Sequence, residues 1–159
     1  MRSAQYWLDA YATDHQNPAN RVLHHICVPL IVLSLIGLLW SLPTPAAFAS
    51  GPQFLNWGTL CIAAGMAYYA VLSIRLALGM LPFVLACEGA VIWMDTLTTP
   101  LWQISLSIFI VAWIGQFVGH LCEGKRPSFF RDLQFLMIGP LWLLSGLYDR
   151  LGVRYYSSV

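Results

Sequence analysis

Between Val22 and Gly119 the chain carries three charged residues, Arg75, Glu88 and Asp95. Apolar runs of that length cannot be hidden in a water-soluble fold of 159 residues, because a domain that small leaves a large share of its surface exposed. They belong in a bilayer, where each backbone polar group must find its partner within the protein and a helix provides that partner locally. The composition agrees: 58% of residues are hydrophobic and 9% charged, against roughly 25% charged in soluble domains. The mean hydropathy is +0.68. An all-α integral membrane protein is expected, with residues 1–159 as one membrane domain.

The breaks in the apolar pattern divide it into about four transmembrane spans, near 22–42, 55–74, 76–94 and 101–119. Each is close to the ~20 residues needed to cross at 1.5 Å per residue. Pro43-Thr44-Pro45 ends the first, a Gly/Pro-containing loop precedes the second, a tight turn is expected over 75–79, and Asp95 to Pro100 form the next loop. From Ser3 to about Thr13, Tyr6, Trp7, Ala10 and Tyr11 recur at helical spacing with acidic residues elsewhere on the helix, which predicts a short interfacial helix with its break at Asn17-Pro18. The last apolar piece, 133–148, is interrupted by Gly139-Pro140 and is expected to be a short interfacial or re-entrant element. No positive-then-apolar leader opens the sequence, so no cleaved signal is expected.

In the four-span arrangement all eight basic residues fall on one side, and the loops 43–54 and 95–100 contain none. Trp40, Trp57, Trp93 and Trp102 gather at the opposite boundary. The positive-inside rule and the aromatic belt thus make the basic side, with both termini, cytoplasmic. A bacterial inner membrane is the expected host. The net charge of +1, with no basic stripe, excludes a nucleic-acid partner. Cys27, Cys61, Cys87 and Cys122 have no CxxC spacing and are read as reduced, packed thiols.

An even number of spans returns the chain to its starting face, so His15, His24, His25 and His120 can meet at the cytoplasmic boundary. Asn20 and His24 share one helix face, and Gln116, His120 and Glu123 follow i, i+4, i+7 on another. One interfacial histidine is ordinarily a hydrogen-bonded amphipathic side chain. Four on one side, flanked by amide and carboxylate groups, equally fit a Zn or Fe(II) site with positions left open for substrate and O2. His25 is the weakest of the four, lying about 100° around the helix from His24. Glu88 is an ionisable group at bilayer depth, either a protonated packing residue or a functional one. Lys125 and Arg126 suit either lipid headgroups or an acyl substrate's carboxylate.

Two segments carry a family resemblance. Tyr11-Ala-Thr-Asp-His15-Gln-Asn-Pro-Ala-Asn20-Arg-Val-Leu-His24, followed by His25-Ile-Cys-Val-Pro29, resembles the N-terminal signature of the membrane 2-hydroxy fatty acid dioxygenases of fatty-acid α-oxidation, the 2-hydroxy-palmitic acid dioxygenase-like family. Trp113-Ile-Gly-Gln116-Phe-Val-Gly119-His120, with Glu123, Arg126-Pro127 and Gly139-Pro140, is similar to its C-terminal signature. The likeness spans nearly the whole chain. Cys27 departs from it, standing where the family pattern has glycine and implying slightly looser packing.

The resemblance implies an oxidoreductase, a non-haem Fe(II) enzyme that uses O2 to shorten long-chain 2-hydroxy fatty acids by one carbon. On that reading His15, His24 and His120 are the metal ligands. Glu123 completes the shell or orients an imidazole, Asn20 and Gln116 bond the reacting groups, and Lys125 or Arg126 neutralises the carboxylate. The fatty acid and membrane lipid would be the partners. Two other classes use the same residues differently. A metal-dependent membrane lipid hydrolase or hydroxylase would bind Zn or a di-iron pair there, and a non-enzymatic scaffold or transporter would depend on Glu88 instead.

Overall fold

The computed structural model describes residues 3–13, 15–49, 55–124, 135–153 and 155, and among them every regular element is helical. The helices are α1 (Ala4–Thr13), α2 (Pro18–Trp40), α3 (Ala46–Ala49), α4 (Trp57–Leu72), α5 (Ile74–Asp95), α6 (Leu101–Cys122) and α7 (Ile138–Leu151).

Three of them, α2, α5 and α6, have 23, 22 and 22 residues and are apolar enough to cross a membrane. At 1.5 Å per residue, 22 residues reach about 33 Å, just past a hydrocarbon core of ~30 Å. Outward-facing side chains such as Val71, Leu85 and Val111 are 66, 62 and 67% exposed. That degree of apolar exposure is consistent with a lipid environment and costly in water.

The expected span 55–74 is shorter than its apolar pattern implies. Helix α4 has 16 residues, about 24 Å, because both its ends are cut by caps. At the start Asn56 closes a capping box: its side chain accepts from the Gly58 and Thr59 amides, while its own amide donates to Thr59 Oγ1. At the other end Ser73 is extended, with φ −166° and ψ 118°. Its hydroxyl donates to the Tyr155 carbonyl at 2.8 Å and accepts from the Leu76 amide. The turn expected over 75–79 is therefore a single-residue break at Ser73. Arg75 and Gly79 lie within α5, where the absence of a side chain at Gly79 admits Tyr148 and Leu144 of α7.

Helices α2 and α6 run antiparallel in close contact. A Cβ at Gly119 would collide with Asn20, one at Gly115 would stand 2.5 Å from Cys27 Sγ, and one at Gly37 would collide with Ser105. Cys27 is thus accommodated by Gly115 across the seam, and the looser packing expected there is not found. Helix α4 returns from the Trp40 end, where Gly58 lies under the Ile36 carbonyl, to Tyr69 beside Met137. Helix α5 climbs back until Cys87, Val91 and Met94 pack with Ile36 and Leu101. Trp40, Trp57, Trp93 and Trp102 consequently sit at helix ends remote from His15 and His24, as their sequence positions predicted.

Gly139-Pro140 opens a helix instead of interrupting one. In α7, which starts at Ile138, Pro140 occupies the first turn, where its missing N–H has no intrahelical acceptor to lose. With 14 residues α7 is too short to cross. It packs Ile138 and Leu141 into a core with Leu8 and Tyr11 of α1 and Leu76 and Met80 of α5.

Candidate metal centre

The N-terminus of α2 and the C-terminus of α6 meet, and each supplies what the other lacks. A helix leaves its first amides and last carbonyls without internal partners. Asn17 caps α2 by accepting from the Ala19 amide at 2.9 Å, and its Nδ2 donates to the terminal Cys122 carbonyl of α6 at 2.9 Å. Glu123, the residue ending α6, accepts from the Asn17 amide at 2.7 Å and from Asn20 Nδ2 at 3.0 Å. An anion at the positive end of the α2 dipole adds to this. Partial burial acts to raise the Glu123 carboxyl. The bonds from Asn20 and Asn17, with His15 nearby, outweigh it and hold the group below the usual carboxylate range.

This clasp places three histidines together. His15 follows α1, and its ring is stacked on Tyr11 at 4.1 Å with the planes 6° apart. Trp142 of α7 stands 5.7 Å from the same ring. His24 lies one turn beyond Asn20, which is fully buried, and is itself 2% exposed. His120 completes the group from α6, with its ring 5.7 Å from His15 and 5.2 Å from His24. One ligating nitrogen from each lies within 4.8 Å of the other two.

Proton bookkeeping makes this more than proximity. His15 Nδ1 contacts the Tyr11 carbonyl at 2.7 Å, and His24 Nδ1 contacts the Asn20 carbonyl at 3.0 Å. A carbonyl only accepts, so both Nδ1 atoms carry hydrogen and both neutral rings present a bare lone pair at Nε2. Those two Nε2 atoms face each other at 2.9 Å. Two lone pairs at that distance repel unless a proton or a cation lies between them. A shared proton needs two nitrogens, whereas a third inward donor, His120, matches a metal ion. Anchoring each ligand through its other ring nitrogen is the usual arrangement around a bound metal. The donor set therefore fits a divalent cation of the Zn or Fe(II) type.

The other sequence candidates are distributed as follows. Gln116 is buried on α6, one turn before His120. His25 turns out of the triad, bonding the Arg21 carbonyl through Nδ1 and lying 5.7 Å from Trp142. Glu88 sits on α5 next to Cys87, in the part of the bundle packed on Ile36 and Leu101, and is not brought to the histidines. Lys125 and Arg126 lie outside the described residues. Sequence reasoning missed Asn17, Tyr11 and Trp142 as elements of the site. Asn17-Pro18 was legible, since Asn followed by Pro is a helix-start signature. The stacking partners were not, because α7 reaches them only through the tertiary fold.

A family model described as 2-hydroxy-palmitic acid dioxygenase Mpo1-like matches residues 1–151. No curated protein and no solved structure matches the chain.

Proposed function

The chain belongs to the Mpo1-like family of 2-hydroxy-palmitic acid dioxygenases, and from that premise we propose that it is an Fe(II)-dependent enzyme that shortens long-chain 2-hydroxy fatty acids by one carbon with O2. The observation that carries the metal part is the pair of facing Nε2 atoms of His15 and His24, with both Nδ1 positions committed to carbonyls and His120 beside them. The reaction itself rests on the family.

His15, His24 and His120 would hold the iron, which supplies a redox-active centre with positions open to a 2-hydroxy carboxylate and O2. The chain's own residues prepare that centre. Tyr11 and Asn20 fix the ring orientation and tautomer of His15 and His24 by taking their Nδ1 hydrogens on backbone carbonyls. Glu123 acts as a positioning residue, not a ligand: its Oε1 is engaged by Asn17 and Asn20, which holds the two helix ends at fixed separation. Gln116, buried one turn before His120, would orient the substrate head, whereas the Asn20 side chain is engaged by Glu123 and serves the clasp. Lys125 or Arg126 would neutralise its carboxylate. Tyr11 and Trp142 cover His15 and limit water on that side.

The membrane placement follows the same reading. Helix α4 retraces the path of α2 despite its 16 residues, and with local thinning of the bilayer or flanking aromatic anchors it would serve as the fourth span of a single membrane domain. The histidine end carries Arg21, Arg75 and Arg150, and would face the cytoplasm of a bacterial cell.

The test is metal analysis of detergent-purified protein beside His120→Ala, each reloaded anaerobically with Fe(II) and assayed for loss of a long-chain 2-hydroxy acid. About one iron per chain, lost with His120 together with turnover, is the expected result. Protein that neither takes up Fe(II) nor consumes the acid would overturn the proposal, and stoichiometric Zn with hydrolytic activity would replace it.

A further inference from the structure

Helix α5 carries an outward seam that the fold leaves uncovered. Its inward face is taken up by Cys87, Val91 and Met94, packed with Ile36 and Leu101. On a different face Ile74, Leu78, Leu81, Leu85, Glu88 and Ile92 follow one another at steps of four, three, four, three and four. That alternation lays a straight stripe along a second helix. The five aliphatic members are between 41 and 62% exposed. An apolar stripe alone is what lipid requires of any spanning helix. Glu88 breaks that rule.

Glu88 lies seven positions before Asp95, the last residue of α5, and about 10 Å of helix therefore separates it from the nearer end. Snorkelling to the interface is a device of the long Lys and Arg side chains, not of a short carboxylic one. Glu88 is half-buried, and among the described residues it has neither a hydrogen bond nor an ion pair. Polar groups at such depth are costly and pair with one another or face a protein interior. Beside it the backbone is open, since a Cβ at Gly89 would meet nothing within 4 Å. A small residue there lets a second backbone come close.

We infer that a second copy of this chain docks on the seam, giving a two-fold dimer in which the two Glu88 carboxyls hydrogen-bond to each other. The bilayer itself favours a copy over an unrelated partner. The basic loops insert every copy in the same sense, so in a two-fold pair about the membrane normal the two α5 helices run parallel and each seam residue meets its counterpart at one depth. A carboxyl can both donate and accept, and is therefore its own complement. An unrelated protein would have to bring a matching polar group to the same level. A single polar residue in an apolar seam also fixes register: sliding one helix by a turn would set each carboxyl against Leu85 or Ile92. The inference needs α5 to cross a bilayer and is independent of the reaction proposed above.

Two readouts decide the matter. First, the fluorescently labelled full chain is reconstituted in phosphatidylcholine–phosphatidylglycerol liposomes over a range of protein densities, and bleaching steps are counted in single vesicles. A two-step population that rises with density is expected, and Glu88→Leu should shift its midpoint to about tenfold higher density or more. The same substitution removes a costly polar group from hydrocarbon, so the chain itself should be no less stable to denaturant. Gly89→Leu, which obstructs close approach, should weaken association in the same way, whereas Glu88→Gln keeps a donor and an acceptor and should retain it. Protein that is monomeric at every density, or pairing untouched by Glu88→Leu, overturns the inference. Loss in Glu88→Gln equal to that in Glu88→Leu overturns the hydrogen-bonded pair. Second, Ile92→Cys on the seam and Val111→Cys on α6 are oxidised in a background where the exposed Cys61 and Cys122 are serine. Cross-linking of Ile92→Cys and not of Val111→Cys is expected; the reverse places the interface elsewhere and overturns the assignment.

Discussion

Gly119→Ala adds one methyl group where the two helices that carry His24 and His120 cross. The new Cβ would fall well inside contact distance of Asn20 Oδ1, with Cγ at 3.4 Å and Cα at 3.6 Å. Asn20 cannot simply turn away: it is fully buried, and its Nδ2 is held by Glu123 at 3.0 Å. Either that bond breaks or the helix ends separate. Forcing a methyl into a packed site costs about 1–3 kcal/mol, and losing a hydrogen bond to a charged group about 1.5–3 kcal/mol. Against this, alanine improves helix propensity by up to ~1 kcal/mol. A net loss of about 1–3 kcal/mol is expected, measured by detergent-denaturant titration followed by circular dichroism. Because the Asn20 carbonyl anchors His24, affinity for Co(II) or Fe(II) should fall as well, by roughly 10–100-fold. A double-mutant cycle isolates the cause. In an Asn20→Ala background the obstructing atom is gone, so Gly119→Ala should become neutral or stabilising. If it costs the same in both backgrounds, the clash with Asn20 is not the mechanism and the close-approach reasoning is wrong.

Other consequences follow from the same contacts. Glu123 titrates below its ordinary range in the folded protein, so its contribution is complete above the unfolded carboxylate pKa and is lost as pH falls through the lower folded value. The stability gap between wild type and Glu123→Gln should therefore be wide at about pH 6 and narrow towards about pH 3, and a gap independent of pH would contradict the clasp. Ser73→Ala removes the cap of α5 and the bond to the Tyr155 carbonyl, and should cost about 1–2 kcal/mol in the same titration without altering metal uptake. His15→Ala and His24→Ala should each abolish the ligand-field spectrum of Co(II)-loaded protein, whereas His25→Ala, turned towards Trp142, should retain it. Tyr69→Phe leaves the Met137 carbonyl without its donor and should destabilise by about 1–3 kcal/mol.

The helical class, three of the four expected spans as long apolar helices, and the gathering of His15, His24 and His120 with Asn20 and Glu123 were legible in the linear sequence. Hydropathy reports directly on which backbone must satisfy itself, and i, i+4 spacing reports on which side chains share a face. The limits of α4 were not legible. An apolar run from 55 to 74 does not reveal that Asn56 and Ser73 cap it at both ends, since capping competes with helix propagation through local hydrogen bonds that hydropathy ignores. Spacing set His25 below His24 but could not tell whether Glu123 faces a metal or a helix end. That outcome depends on the rotation and separation of α2 against α6. The close approaches at Gly119, Gly115 and Gly37 set that separation, and the partners at each crossing lie 68 to more than 80 positions apart in the chain. Short-range pattern specifies elements and faces; only packing decides which atoms of those faces meet.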